Sequence, residues 1–140
     1  KSAVRRLPNG NLAVQADMYK AVAQWSDGES FFPLSADGTV VNQPSDARDP
    51  GAVVFVGPIP SDISDITAAA RNMVEDVAYM EWIENRRWNM VTNGGITVML
   101  PEQNPIAAVS TLISLDKTHN ILEKKISVID MRDDARILVK

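Results

Sequence analysis

The architecture of the chain is best read outward from residues 78 to 101, "AYMEWIENRRWNMVTNGGITVMLP". Aromatic, aliphatic and polar residues mix here at close spacing, and two turn signals interrupt them. Glu84 to Arg86 forms the first turn and Asn93-Gly94-Gly95 the second, because Asn-Gly and Gly-Gly suit the backbone of tight hairpins. The pattern predicts strands over 78–84, 87–92 and 96–100, with Ile96, Val98 and Leu100 on one face. Three strands joined by two short turns make an antiparallel meander.

Helices flank this meander. Upstream, Ile63, Ile66, Ala70, Met73 and Val77 recur at helical spacing, with Ser61 or Asp62 as the expected N-cap and Asp62 and Asp65 near the first turn. Downstream, "NPIAAVSTLISLDKTH" predicts a helix capped by Asn104, with Pro105 at its first position. Its expected buried stripe is Ile106, Val109, Leu112, Ile113 and Leu115. The chain closes with "KISVIDMRDDARILVK", residues 125 to 140, two apolar runs around an acidic turn. That reads as a final hairpin. Before the first helix, "NLAVQADMYKAVAQW" (11–25) predicts one or two strands, and "ESFFPLS" lies between the turn signals "SDG" and "ADG". "TVVN" is a further short strand. "QPSDARDPG" is a loop, and "AVVFVG" (52–57) is a buried β-branched strand. The fold class is therefore α+β, an antiparallel β-sheet of mixed strand lengths with two helices packed on one face.

The 140 residues suffice for one domain with a proper core, or one domain and a fragment of another. Net charge is −4, which argues against a general nucleic-acid groove, because contacts to a phosphate backbone need a dense Lys/Arg surface. There is no cysteine, which excludes disulfide frameworks, cysteine zinc sites and cysteine nucleophiles. No apolar run approaches the roughly 18 to 20 residues that span a bilayer, and no signal peptide opens the chain. The start "KSAVRRLPNGNLAVQ" enters directly on structured-looking sequence, so a fragment of a longer protein is expected.

Chemistry is scarce. His119, the single histidine, lies near a helix end without a local nucleophile or carboxylate partner, so it reads as a structural residue. Asp130, Asp133 and Asp134 could imitate a metal site or a catalytic carboxylate pair, but Arg132 and Arg136 interleave with them at a turn. A turn with surface ion pairs is the expectation. Asn93-Gly94-Gly95 is too short for a phosphate loop. "EWIENRRW" could stack Trp82, Trp88 and its arginines on bases or glycans, but it reads rather as cross-strand packing of the two tryptophans with the arginines toward solvent, or as a protein-interface anchor. No catalytic residue, metal ligand or cofactor site is assigned, and a binding or scaffold role leads.

Three stretches together resemble FtsQ, the bacterial cell-division protein family. They are "RRLPNGNLAVQADMYKAVAQWSDGESFFPLSADGTVV", "RRWNMVTNGGITVMLP" and "VIDMRDDARILVK". The first looks like that family's junction between its POTRA and β domains, and the last like its closing hairpin. Met18 and Ala21 stand where the family often has Glu and Pro, and Asp133-Asp134-Ala135 where its turn often reads Leu-Pro-Asp. The resemblance implies the end of a POTRA domain over residues 1–18 and a β domain over 19–140. It further implies a non-enzymatic scaffold at the division septum, held in the inner membrane by one helix upstream, with this portion in the periplasm. FtsB and FtsL are the implied partners, FtsB docking near the last strand partly by adding a strand of its own.

A terminal strand can offer an unpaired edge on its own account. Charge protects many such edges, and Arg136 and Lys140 flank Ile137, Leu138 and Val139 here. The expected partner-binding residues along this edge are Asp133, Ala135, Arg136, Ile137, Leu138, Val139 and Lys140, together with Arg132, where the resemblance also implies a contact, and Arg86, which the resemblance alone implies. The arginines would meet acidic groups, and a proline at Leu138 is expected to abolish binding. Two other readings remain open: a POTRA-type peptide-binding module of an outer-membrane assembly or secretion system, and a small hydrolase built on the aspartate cluster.

Overall fold

The computed structural model describes residues 21–133 and 136–140. Eight strands form one sheet in the order β2-β1-β3-β4-β5-β6-β7-β8. They are β1 Ala21–Ser26, β2 Phe31–Ser35, β3 Val54–Val56, β4 Val77–Ile83, β5 Arg87–Thr92, β6 Thr97–Met99, β7 Val128–Asp130 and β8 Leu138–Val139. Among the described residues two helices, α1 Ser64–Arg71 and α2 Pro105–His119, accompany the sheet, with a short 3-10 turn at Ile121–Glu123. The part of the expected 11–25 strand region before residue 21 and the POTRA remnant over 1–18 lie outside the described residues.

The class is α+β, one sheet with two helices, but strand direction is mixed. β4, β5 and β6 form the predicted antiparallel meander. The pairs β1–β3, β3–β4 and β6–β7 run parallel, which corrects the all-antiparallel expectation. Parallel neighbours need a crossover, and each helix supplies one: α1 between β3 and β4, α2 between β6 and β7. β3 and β6 point the same way and both crossovers step toward β8. Connections of one hand therefore place both helices on one face, where they pack against each other.

The core lies between helices and sheet. Phe55, Met80, Met90, Val98 and Ile129 are in-register neighbours across five strands, and all five are fully buried. Trp88 lies two residues from Met90 on the same face. It meets Phe55 edge-on at 5.3 Å and Trp82, its cross-strand partner, at 4.8 Å. The expected Trp82–Trp88 packing is what the hairpin contains. A helix-facing row of this kind is what a period-two alternation encodes.

Helix ends depart from expectation. Ile63, not Ser61 or Asp62, holds the N-cap position of α1, although the Asp62 carboxylate accepts the Ser64 N–H at 2.9 Å. α1 stops at Arg71, and tight turns through Met73 carry the chain to β4. Met73 and Val77 are buried as predicted, yet from a turn and a strand start. Asn104 precedes α2 in a left-handed conformation without a side-chain cap bond. In α2, Ala108, Val109 and Leu112 are buried, Ile113 and Leu115 are half-buried, and Ile106 is exposed. Ile106 stands roughly a third of a turn off the buried stripe. "TVVN" forms no strand; only Val40 bridges to Leu34.

The two sheet edges are treated differently. Outside β2 the chain folds back on itself: Phe31 and Ser45 exchange backbone hydrogen bonds at 2.9 and 2.8 Å, and the Val41 N–H donates to the Pro33 carbonyl at 2.9 Å. Pro33 has no N–H to leave open. The opposite edge is β8.

Candidate functional site

β8 ends the sheet, and among the described residues nothing pairs with its outer side. Its inner side is fixed by Lys140. The Lys140 N–H donates to the Val128 carbonyl at 3.0 Å, and its carbonyl accepts the Ser127 N–H at 2.7 Å and the Val128 N–H at 3.4 Å. Ile129 then stands opposite Val139, and Asp130 opposite Leu138. Hydrogen-bonded and non-hydrogen-bonded pairs alternate along an antiparallel ladder. Leu138 and Lys140 therefore turn their amides inward to β7, while Ile137 and Val139 turn theirs outward.

This phase corrects the expectation for Leu138→Pro. The Leu138 amide belongs to the internal ladder, so a proline there undocks β8 rather than removing an outward donor. The outward donor within β8 is Val139.

Side chains alternate in step with the backbone. Ile137 packs against the core and lines a groove with Ala107, Ala108, Thr111 and Met131 on the helix face. Leu138 faces the helix-free side, where it borders a cleft of about 440 Å³ with Arg86, Arg87, Glu102, Asp130, Arg132 and Asp133. Leu138 is 44% exposed and Val139 46%, two of the four exposed large apolar residues among those described. Exposed apolar groups on an unpaired edge are what strand protection normally removes.

The arginines enter the cleft from two elements. Arg86 follows Glu84 and Asn85, both in left-handed backbone, in the β4–β5 turn. The Trp82 indole N–H donates to the Asn85 side-chain oxygen at 3.1 Å and steadies that turn. Arg86 pairs with Glu84 at 2.8 Å, both well exposed, and Arg86 holds the Glu84 carboxyl below its ordinary value. Arg132 follows β7 and forks onto Asp130 with two bonds at 2.9 and 2.8 Å. That bidentate pair is the strong geometry for a guanidinium, and it lowers the Asp130 carboxyl to about 2 while raising Arg132.

Two aspartates of the cluster are thereby tied into ion pairs. Asp130 serves Arg132, and Asp133 pairs with Arg136 at 3.7 Å. Ala135, and Asp134 of the cluster, lie outside the described residues. His119 ends α2, its ring 2.7 Å from the Thr118 hydroxyl.

The structure thus brings Arg86, Arg132, Asp133 and Leu138 to one cleft and places Arg136, Ile137, Val139 and Lys140 along the adjoining edge. It adds Arg87, whose guanidinium donates to the Asn89 side-chain oxygen at 2.6 Å on the helix-free face. Arg87 was legible from alternation: its neighbour Trp88 points into the core, so Arg87 points away. Glu102 was not, because it follows β6 in a loop.

The family described as cell division protein FtsQ/DivIB, C-terminal, matches residues 23–132. FtsQ of Rhizobium meliloti is 27% identical over 98% of this chain and 46% of its own length. FtsQ of Caulobacter vibrioides is 25% identical over 98% of the chain and 46% of its length. FtsQ of Cereibacter sphaeroides is 34% identical over 54% of the chain and 25% of its length. The major extracytoplasmic domain of DivIB from Geobacillus stearothermophilus shares the fold, with a TM-score of 0.51 at 17% identity, over 76% of this chain and 98% of that one. The chain spans about half the length, or less, of these FtsQ relatives. With most of its sheet and both helices inside the matched region, the chain belongs to the FtsQ/DivIB family of cell-division proteins.

Proposed function

We propose that this domain is a non-enzymatic docking platform of the division machinery whose β8 edge accepts an extended segment of FtsB, with FtsL in the same assembly. One observation carries the reading. The β2 edge is closed by the protein's own backbone, while the β8 edge leaves the amides and carbonyls of Ile137 and Val139 directed outward. Added strands gain affinity from main-chain bonds and selectivity from alternate side chains. The cleft beside Leu138 supplies arginines for acidic groups on the partner, Arg86 and Arg132 among them.

Family membership supports a place in cell division, and the DivIB relative is described as extracytoplasmic. In this reading the domain faces the periplasm at the septum, below a POTRA domain whose end falls in residues 1–18, on a protein held by one membrane helix. Among the described residues no helix is long and apolar enough to cross a membrane.

The test is a pair of prolines in the full-length protein, assayed for binding the cognate FtsB extracytoplasmic segment. Val139→Pro removes an outward donor and should abolish binding while leaving the Asp130–Leu138 and Val128–Lys140 bonds possible. Leu138→Pro should also lose binding, but by undocking β8 from β7. Undiminished FtsB binding by a folded Val139→Pro protein would rule out strand addition at β8.

A further inference from the structure

The exposed edge carries a pattern that decides what can pair with it. Along residues 136 to 140, Arg136, Leu138 and Lys140 share the helix-free face by alternation, and Ile137 and Val139 share the other. The helix-free face of the edge thus reads cation, apolar, cation. Arg136 and Lys140 are both exposed, and the Asp133 carboxylate lies 3.7 Å from Arg136 in a pair open to solvent.

Consider a second copy of this chain at the edge. The outward-facing residues are 137 and 139, so the antiparallel register using all five residues sets Ile137 against Val139 of the other copy and Leu138 against Leu138. It also sets Arg136 against Lys140, twice. Like charges directly opposed across strands are destabilising, and opposed unlike charges are stabilising.

We propose that Arg136 and Lys140 are a charge filter on the β8 edge, which disfavours pairing with a second copy and selects a strand of the pattern acid, apolar, apolar, apolar, acid. The two carboxylates of such a strand lie on its helix-free face, four residues apart, opposite Lys140 and Arg136. Its three central residues cover Ile137, Leu138 and Val139. This rests on the reading of β8 as an available edge, and it adds the sequence pattern of the occupant.

The filter can be tested without any partner, by inverting one charge. Arg136→Glu makes the edge complementary to itself, because the introduced carboxylate of each copy then faces Lys140 of the other. Full-length protein is compared by sedimentation equilibrium in density-matched detergent at low and high salt. Arg136→Glu should self-associate roughly ten-fold or more tightly than the wild type, and high salt should erase the difference. The double variant Arg136→Glu, Lys140→Glu restores opposed like charges and should return to wild-type behaviour. Adding Val139→Pro to Arg136→Glu should abolish the gain.

A double charge reversal that associates as strongly as the single one would overturn the filter, as would an Arg136→Glu gain that survives Val139→Pro. If Arg136→Glu shows no gain while Val139→Pro still abolishes FtsB binding, the filter is wrong and the edge reading stands. If Arg136→Glu gains and Val139→Pro suppresses it, but FtsB binds regardless of Val139→Pro, the filter stands and FtsB docks elsewhere.

Discussion

Gly38→Ala is the sharpest perturbation the fold offers. Gly38 sits in the turn after β2 at φ +86°, and a methyl group built there falls 2.3 Å from the Pro60 carbonyl oxygen and 3.2 Å from the Ile59 side chain. An alanine in that left-handed backbone costs about 1–2 kcal/mol. The obstacle beyond it is backbone and cannot rotate away, which adds roughly 1–3 kcal/mol of overpacking. The turn is also well bonded: the Gly38 N–H donates to the Ser35 carbonyl, the Thr39 N–H to the Asp37 carboxylate, and the Ile63 N–H to the Ala36 carbonyl. Relief by moving the turn would break the link between β2 and the start of α1. The sum is about 3 kcal/mol, or about 10 °C of Tm for a domain of this size. Gly28→Ala is the control, since Gly28 has φ +98° but nothing within 4 Å of the added carbon. Urea and thermal unfolding followed by tryptophan fluorescence give both values. If Gly38→Ala costs no more than Gly28→Ala, the close approach to Pro60 contributes nothing and the reasoning fails. The same variant should loosen the return that closes the β2 edge, so its aggregation at high concentration should exceed that of Gly28→Ala.

Acid should test the Asp130–Arg132 pair. The Asp130 carboxyl is held at about 2 in the folded protein against an ordinary 3.8, so its contribution is fully present above about pH 4 and is lost as pH falls toward 2. The Arg132 side chain is 49% exposed, which limits the contribution to that of a solvent-screened surface pair. Arg132→Gln should therefore be slightly less stable than the wild type at pH 6, with most of that difference gone by about pH 2 and the rest lost below it, and a constant difference from pH 6 down to 2 would contradict the assignment. The proline pair separates along a second axis: Leu138→Pro loses an internal ladder bond and should lower Tm by a few degrees more than Val139→Pro, whose amide faces outward.

Much of the fold was readable because its signals are local. The Asn93-Gly94-Gly95 turn, the period-two runs on either side of it, and Pro105 at the start of α2 each specify their own neighbourhood. Strand direction was less accessible, since β1–β3, β3–β4 and β6–β7 pair across long separations. Yet the order strand, helix, strand around α1 and α2 already implied crossovers, and crossovers imply parallel neighbours. The end of α1 at Arg71 escaped notice because Met73 and Val77 continue the apolar spacing after the helix has tightened into turns. At the site, the apolar and charged pattern of 136–140 identified an edge candidate. It could not say which amides point outward, because that phase is set by the bonds between Lys140 and Val128. Closure of the β2 edge by residues 39–45 was likewise invisible, being made of backbone bonds from a loop.

The most direct test of β8 as an acceptor edge is amide hydrogen exchange in the full-length protein, with and without the cognate FtsB extracytoplasmic segment. Free protein should show partial protection at Leu138 and Lys140, whose amides face β7, and fast exchange at Ile137 and Val139. With FtsB bound, Ile137 and Val139 should become protected. Slow exchange at Val139 before any partner is added, or no change at either residue on binding, would contradict the account.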